Sequence, residues 1–251
     1  MAEATSPSPA NPPPDLLEDA ALFLDFDGTL VELAPTPEAV RVDERLTSLL
    51  SRLSHRLDGR LAIVSGRSVE MLRGFLPPAL ALVGSHGMEF GSPDGTVDLP
   101  MRPAALAAVV ERMARLAERH PGVIVEDKPL GAALHYRQLP EAEAACLELA
   151  AALAEEHGLH LQPGKLMVEV RAPGGDKGTA IERLMREPDM KGARPVFMGD
   201  DLTDEPGFRA AAGLGGSGIL VGPERETAAS FRLDGVPAAL AWLESFVASS
   251  A

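Results

Sequence analysis

The stretch Ala21-Leu22-Phe23-Leu24-Asp25-Phe26-Asp27-Gly28-Thr29-Leu30 constrains this chain more than any other. Its apolar run, closed by a Gly-Thr turn signal, suits a central strand of a parallel sheet, buried on both faces. Strand side chains alternate, so Asp25 and Asp27 begin on the same side. Two carboxylates at the end of a buried strand are costly unless something compensates, and a divalent cation is the usual compensation. A plain turn accounts for Gly28 but not for a second acid inside the hydrophobic run. The stretch therefore reads as a functional site.

The segments around it repeat one pattern. Beyond a loop with Pro35 and Pro37, Asp43 caps a helix whose apolar stripe is Leu46, Leu49, Leu50, Leu53 and Leu57. Leu61 to Ser65 reads as a second buried strand, and Ser65-Gly66-Arg67-Ser68 turns into a short helix stopped by Gly74 and Pro77. Leu80 to Gly84 is a third strand, opening into Ser85-His86-Gly87. Strand, helix, strand, helix, strand builds a parallel sheet with right-handed crossovers, whose carboxyl edge binds ligands. The pattern resumes after Pro173: Asp176 caps a helix, Arg194 to Met198 is a strand, and Gly199-Asp200-Asp201-Leu202-Thr203-Asp204-Glu205 follows it. Ser217 to Val221 is a last strand and Val236 to Val247 a terminal helix.

Residues 99–172 differ in character. Helix, strand and strand, repeated twice, predict an antiparallel sheet with helices on one side, inserted as a second domain into a core of residues 16–98 and 173–251. Parity along these strands groups Leu166, Val168 and Val170 on one face, against Lys165, Met167, Glu169 and Arg171. Likewise Val123 and Val125 oppose Ile124, Glu126 and Lys128, and Leu134 and Tyr136 oppose Ala133, His135 and Arg137. One face packs on the helices while the other carries both signs of charge. Parity alone fits a solvated outer face as well as a lid over the first domain's site.

Composition sets limits on function. Lysine and arginine number 23 against 37 acids, a net charge of −14, which argues against a nucleic-acid binder. An acidic protein that handles an anion must concentrate its few cations at the site. A single cysteine, Cys146, excludes an intrachain disulfide and a cysteine-based metal site, and its alanine- and leucine-rich surroundings suit a buried core residue. Residues 1–15, with Asn11-Pro12-Pro13-Pro14, read as a disordered tail with no basic start and no apolar signal segment. No apolar stretch reaches membrane-spanning length, so the expectation is a soluble cytoplasmic protein.

Four patches thus fall after strands or at a helix start: Asp25 with Asp27, Ser65, Lys177, and Asp200 with Asp201 and Asp204. Acids without histidine or cysteine suit a hard cation with oxygen ligands, Mg²⁺ before Zn²⁺. Mg²⁺ beside a serine, a lysine and a helix N-terminus is equipment for a phosphoryl group. Lys177 and the metal would neutralise its charge, while Ser65 and the backbone N–H groups after Asp27 would donate to its oxygens. Each part has a duller alternative: Lys177 as an exposed helix residue, Ser65 as a turn former, Asp204 as a partner of the helix dipole. All of them together, in this order, argue for chemistry.

The segments Asp25-Phe26-Asp27-Gly28-Thr29, Ser65-Gly66-Arg67, Asp176-Lys177-Gly178 and Gly199-Asp200-Asp201-Leu202-Thr203-Asp204 resemble, in order, the four signature motifs of the haloacid dehalogenase superfamily of phosphatases. More narrowly, Gly84-Ser85-His86-Gly87, Glu126-Asp127-Lys128, Leu134-His135-Tyr136-Arg137 and Gly164-Lys165-Leu166-Met167-Val168-Glu169-Val170-Arg171 resemble the trehalose-6-phosphate phosphatase family. The fold so implied is an α/β core of haloacid-dehalogenase type with an inserted α+β cap of αββαββ pattern. The implied reaction is Mg²⁺-dependent hydrolysis of trehalose 6-phosphate, with Asp25 as nucleophile forming an aspartyl phosphate and Asp27 as acid and base. Ser65 and Lys177 complete the catalytic set. Mg²⁺ would be held by Asp25, the Asp27 carbonyl and Asp200, with Asp201 and Asp204 placing water or bracing Lys177. Gly28, Thr29, Gly66, Arg67 and His86 would bind substrate, and Glu126, Lys128, Arg137, Lys165 and Glu169 would meet the sugar hydroxyls, with Glu169 facing the distal ring. The resemblance also implies functional pairing with a trehalose-6-phosphate synthase. A related sugar phosphatase, for sucrose phosphate or mannosylglycerate phosphate, and a catalytically silent sugar-phosphate-binding module remain alternatives; an intact acid set speaks against the second.

Overall fold

The computed structural model describes residues 10–34, 36 and 39–249. The chain begins with β1 (Ala20–Leu24), α1 (Glu44–Arg56), β2 (Leu61–Val64), α2 (Val69–Arg73), β3 (Ala81–Gly84), β4 (Glu89–Gly91) and β5 (Val97–Asp98). An insert follows: α3 (Leu106–Arg119), β6 (Ile124–Lys128), β7 (Gly131–His135), α4 (Glu143–His157), β8 (His160–Gly164) and β9 (Met167–Arg171). The chain then returns through α5 (Lys177–Leu184), β10 (Arg194–Gly199), α6 (Glu205–Gly213), β11 (Ser217–Val221), β12 (Phe231–Leu233) and α7 (Val236–Ala248).

The larger sheet runs β12-β11-β10-β1-β2-β3-β4-β5. It is parallel from β12 to β3 and antiparallel at β4 and β5. β1 sits at its centre, buried along its whole length. Its alternation divides the core: Leu22 and Leu24 pack with α1 and α7 on one face, while Ala21 and Phe23 pack with α5 and α6 on the other. Two covered faces explain why this strand is an unbroken apolar run. Caps fix the helix starts: Asp43 accepts from Leu46 N–H, Ser68 from Met71 N–H, and Asp176 forms a reciprocal box with Thr179.

The insert folds as a four-stranded antiparallel sheet, β6-β7-β9-β8, with α3 and α4 on one face. Met113, Leu134, Cys146, Val168 and Val170 share its separate core. The architecture is thus an α/β core with an inserted α+β cap. Arg171, at the end of β9, donates to the carbonyls of Ala172, Gly174 and Gly175 and so ties the return linker to the cap.

Several local expectations change. Leu166 does not share a face with Val168 and Val170. Gly164 pairs with Met167, so Lys165 and Leu166 are the two residues of a hairpin turn, and Leu166 takes φ +56°. Residues 89–91 and 97–98 add two strands beyond β3, and residues 231–233 a short one beside β11. Within the expected tail, Ala10 bridges to Phe231 and its carbonyl accepts from Arg232 N–H. Residues 1–9 of that tail, and the Pro35 and Pro37 positions of the loop, lie outside the described residues. Among the described residues no helix is long and apolar enough to cross a membrane.

Candidate active site

The carboxyl edge of the larger sheet gathers the four motifs. Asp25 N–H donates to the Met198 carbonyl at 2.9 Å, which fixes the residue after β1 against the end of β10. Lys177 opens α5, and its Nζ donates to Asp25 Oδ1 and to Asp204 Oδ1, each at 2.6 Å. All three side chains are buried. A lysine opposes the dipole at a helix N-terminus, so these carboxylates are what hold it there. Asp204 is fully committed, because its Oδ2 accepts from the N–H groups of Asp200 (2.9 Å) and Asp201 (2.8 Å). Its contacts are those of a brace for Lys177. Asp201 turns its carboxylate to Leu202 N–H and starts the next helical turn.

Gly28 has φ +88°, and a Cβ there would lie 2.3 Å from Asp200 Oδ2. Glycine lets Asp200 close onto the loop after Asp27. The Gly28 N–H donates to the Val31 carbonyl at 2.7 Å, so that donor is satisfied within the loop. Thr29 is wholly buried beneath it.

Asp25, Asp200 and Asp204 offer carboxylate oxygens within 4.8 Å of one another. Burial, reinforced by Asp204 and Asp200, pushes the Asp25 carboxyl well above its ordinary value against the pull of Lys177. Burial also pushes Asp200 up to about 6. Burial alone would push the Lys177 amine down, yet Asp204 and Asp25 outweigh it and hold it above the usual lysine value. The ammonium stays charged, and when ionised Asp25, Asp200 and Asp204 still outnumber Lys177 and the Lys165 paired with Asp200. An all-oxygen donor set with such an excess fits a small hard divalent cation.

Asp27 stands in a bidentate pair with Arg67, Nε to Oδ2 at 2.6 Å and Nη2 to Oδ1 at 2.8 Å. The guanidinium lies 5.6 and 5.5 Å from the Phe26 and Phe75 ring centres. The buried Ser65 accepts from Arg67 N–H through Oγ and from His86 N–H through its carbonyl. Ser85 and His86 take φ of +46° and +56°, a conformation uncommon outside glycine. This turn lays the imidazole on Gly66, where a Cβ would come within 2.6 Å of the ring.

The polar face of the cap sheet closes the cleft from above. Glu126, Lys128, Arg137 and Lys165 line it together with Asp25, Asp27 and Asp200. Lys128 links the two layers, donating to Glu169 Oε2 at 2.6 Å and to the Gly66 carbonyl at 3.3 Å. His86 Nε2 lies 3.4 Å from the same Glu169 oxygen. Glu169 is 1% exposed and lies behind the cleft wall rather than on it. Burial would raise its carboxyl, but Lys128 and His86 hold it below the usual carboxylate range. In this arrangement Glu169 ties cap to core through Lys128 and His86. Lys165, at its hairpin turn, reaches down to Asp200, and Arg137 donates to the Lys165 carbonyl.

Several lining residues had no assigned role in the sequence reading, among them Thr36, His135 and Gln162. Parity did place His135 with Arg137 on the polar face, and that signal was sufficient to find it. Asp27 and Arg67 are 40 residues apart, and nothing local foretells their pairing.

Residues 23–237 match the trehalose-phosphatase family. The chain is 38% identical over 239 residues to the trehalose-6-phosphate phosphatase of Escherichia coli (strain K12), covering 94% of this chain and 90% of that one. It is 36% identical over 226 residues to a probable trehalose-phosphate phosphatase of Sinorhizobium fredii, covering 89% and 84%. The solved C-terminal domain of C. albicans trehalose-6-phosphate phosphatase superposes with a TM-score of 0.84 over 98% of this chain and 99% of its own, at 24% identity, and so shares the fold.

Proposed function

The chain belongs to the trehalose-phosphatase family, and from that premise we propose that it hydrolyses trehalose 6-phosphate to trehalose and phosphate. It is a phosphoric monoester hydrolase by the same membership. The observation that carries the mechanism is the state of Asp25. One oxygen is tied to Lys177, the other has no hydrogen-bond partner among the described residues, and Asp25 lines the cleft.

In this reading Asp25 Oδ2 attacks phosphorus, the bond to the sugar oxygen breaks, and an aspartyl phosphate forms. Lys177 keeps Asp25 oriented and offsets the growing negative charge. Asp27, once its pair with Arg67 opens and it has taken up a proton from solvent, gives that proton to the leaving sugar oxygen. It then takes one from a water whose oxygen bonds to phosphorus as the bond to Asp25 breaks and phosphate leaves. With that pair open, the Arg67 guanidinium would donate to phosphoryl oxygens. Asp25 and Asp200, with the Asp27 carbonyl, are the groups that would hold Mg²⁺. When bound, the ion supplies positive charge against the phosphoryl oxygens and relieves the carboxylate excess.

On the cap, Glu126, Lys128, Arg137 and Lys165 would meet sugar hydroxyls, with Glu169 and His86 fixing Lys128. We place the enzyme in the cytoplasm beside a trehalose-6-phosphate synthase that makes its substrate. The connected Asp25, Lys177 and Asp204 contacts favour an active enzyme over a silent binding module. Phosphate release from trehalose 6-phosphate, sucrose 6-phosphate and mannosylglycerate phosphate, with Mg²⁺ and with chelator, tests the reading. The disaccharide phosphate of trehalose should be turned over fastest and chelator should abolish it. Preference for another substrate, or full activity in chelator, would contradict it.

A further inference from the structure

The cleft face of the cap carries one carboxylate that is anchored at one oxygen and open at the other. Ile124 faces His135 across β6 and β7 and Glu126 faces Ala133, so His135 and Glu126 are diagonal neighbours. Diagonal neighbours on one face of an antiparallel pair lie within reach of long side chains. His135 Nε2 meets Glu126 Oε2 at 2.8 Å, and Lys128 Nζ approaches that oxygen to 3.9 Å. Glu126 Oε1 has no hydrogen-bond partner among the described residues. Both side chains line the cleft and are largely sheltered, at 18% and 11% exposure.

Burial alone would raise the Glu126 carboxyl, but the contacts with His135 and Lys128 hold it below its ordinary value. An ionised carboxylate only accepts, so His135 Nε2 carries the proton in this pair. A glutamate side chain has three rotatable bonds, and an unanchored one must be ordered anew by each ligand it meets. Holding Oε2 leaves Oε1 as the unengaged acceptor of a residue that lines the cleft. A sugar presents hydroxyl donors, and an acceptor fixed in advance is what recognises one of them.

We propose that His135 is a positioning residue for substrate selection, holding Glu126 as a fixed acceptor for a sugar hydroxyl. The proposal rests on the reading of the cleft as a sugar-phosphate site. It adds that affinity for the sugar depends on a pair of side chains, neither of which belongs to the phosphate-handling motifs.

The test is a double-mutant cycle read in kcat and KM for trehalose 6-phosphate. His135→Ala should raise KM about tenfold and leave kcat within about twofold. His135→Gln should recover most of the loss, because its amide nitrogen can stand where Nε2 stands and donate to the same oxygen. Glu126→Ala should raise KM at least as much, and adding His135→Ala to it should cost little more, since coupled residues are not additive. An unchanged KM for His135→Ala, additive losses in the double variant, or no recovery with glutamine would overturn the proposal. A structural role would lower kcat or melting temperature for glutamine and alanine alike. Turnover of trehalose 6-phosphate by the unmodified enzyme is the separate check on the proposed function. Lost coupling with that turnover intact therefore overturns the positioning role alone.

Discussion

At the scale of single residues, the site is defined by unequal treatment of like groups. Asp204 satisfies both oxygens inside the protein and keeps Lys177 charged. Asp25 and Asp200 are both pushed upward, chiefly by burial, with Asp204 adding to each. An acid whose folded pKa is raised binds its proton more tightly in the native state, so it favours the fold as pH falls through that value. For Asp200 that window lies below about 6. Above it the Asp200 carboxylate is charged beside Asp25 and Asp204, and a divalent cation gains most by binding there. The melting temperature gained on adding Mg²⁺ in place of chelator should therefore be small at pH 5 and several degrees at pH 7.5. Comparing each pH with its own metal-free control cancels the histidines, including His86, whose burial pushes it down. An equal gain at both pH values would show that these carboxylates do not hold the ion.

At the scale of elements, the cap is joined to the core by side chains that no local pattern identifies. The period-two alternation of β6, β7 and β9 did reveal which face is polar. It left open whether that face meets solvent or substrate, because burial of the polar face depends on the sheet lying beneath it. Glu169 shows the consequence. Its strand parity was legible, but its 1% exposure follows from Lys128 and His86 arriving from other elements. Removing one partner of a buried ion pair leaves the other charge uncompensated, commonly at about 3–5 kcal/mol. Glu169→Gln should lower unfolding stability by about 3 kcal/mol, the low end because Glu126 stands 3.9 Å from Lys128. Denaturant unfolding measures this, and turnover of trehalose 6-phosphate and of an aryl phosphate should fall together. Undiminished stability with loss confined to the disaccharide would place Glu169 on the sugar instead. The hairpin turn at Lys165 and Leu166 was missed for a related reason, since the apolar Leu166 extends the strand pattern by one residue although pairing ends at Met167.

At the scale of the whole molecule, most of the architecture was legible because its signals are contiguous in sequence. β1 announces itself through four apolar residues and two acids, and each neighbouring strand ends in a polar turn at the same edge. The short strands β4, β5 and β12 escaped because two or three residues carry no periodicity. The pairing of Arg67 with Asp27 escaped because it follows from β1 and β2 lying side by side, which brings distant turns together. The fold thus converges on Asp25, a buried carboxylate just past the central strand, on the cleft, with one oxygen braced by Lys177. Phosphate release from trehalose 6-phosphate by Asp25→Asn, with Mg²⁺ present, tests that convergence most directly. The account predicts a folded protein whose kcat falls by about a thousandfold or more, as expected when a covalent nucleophile is removed. Turnover near that of the unmodified enzyme would contradict it.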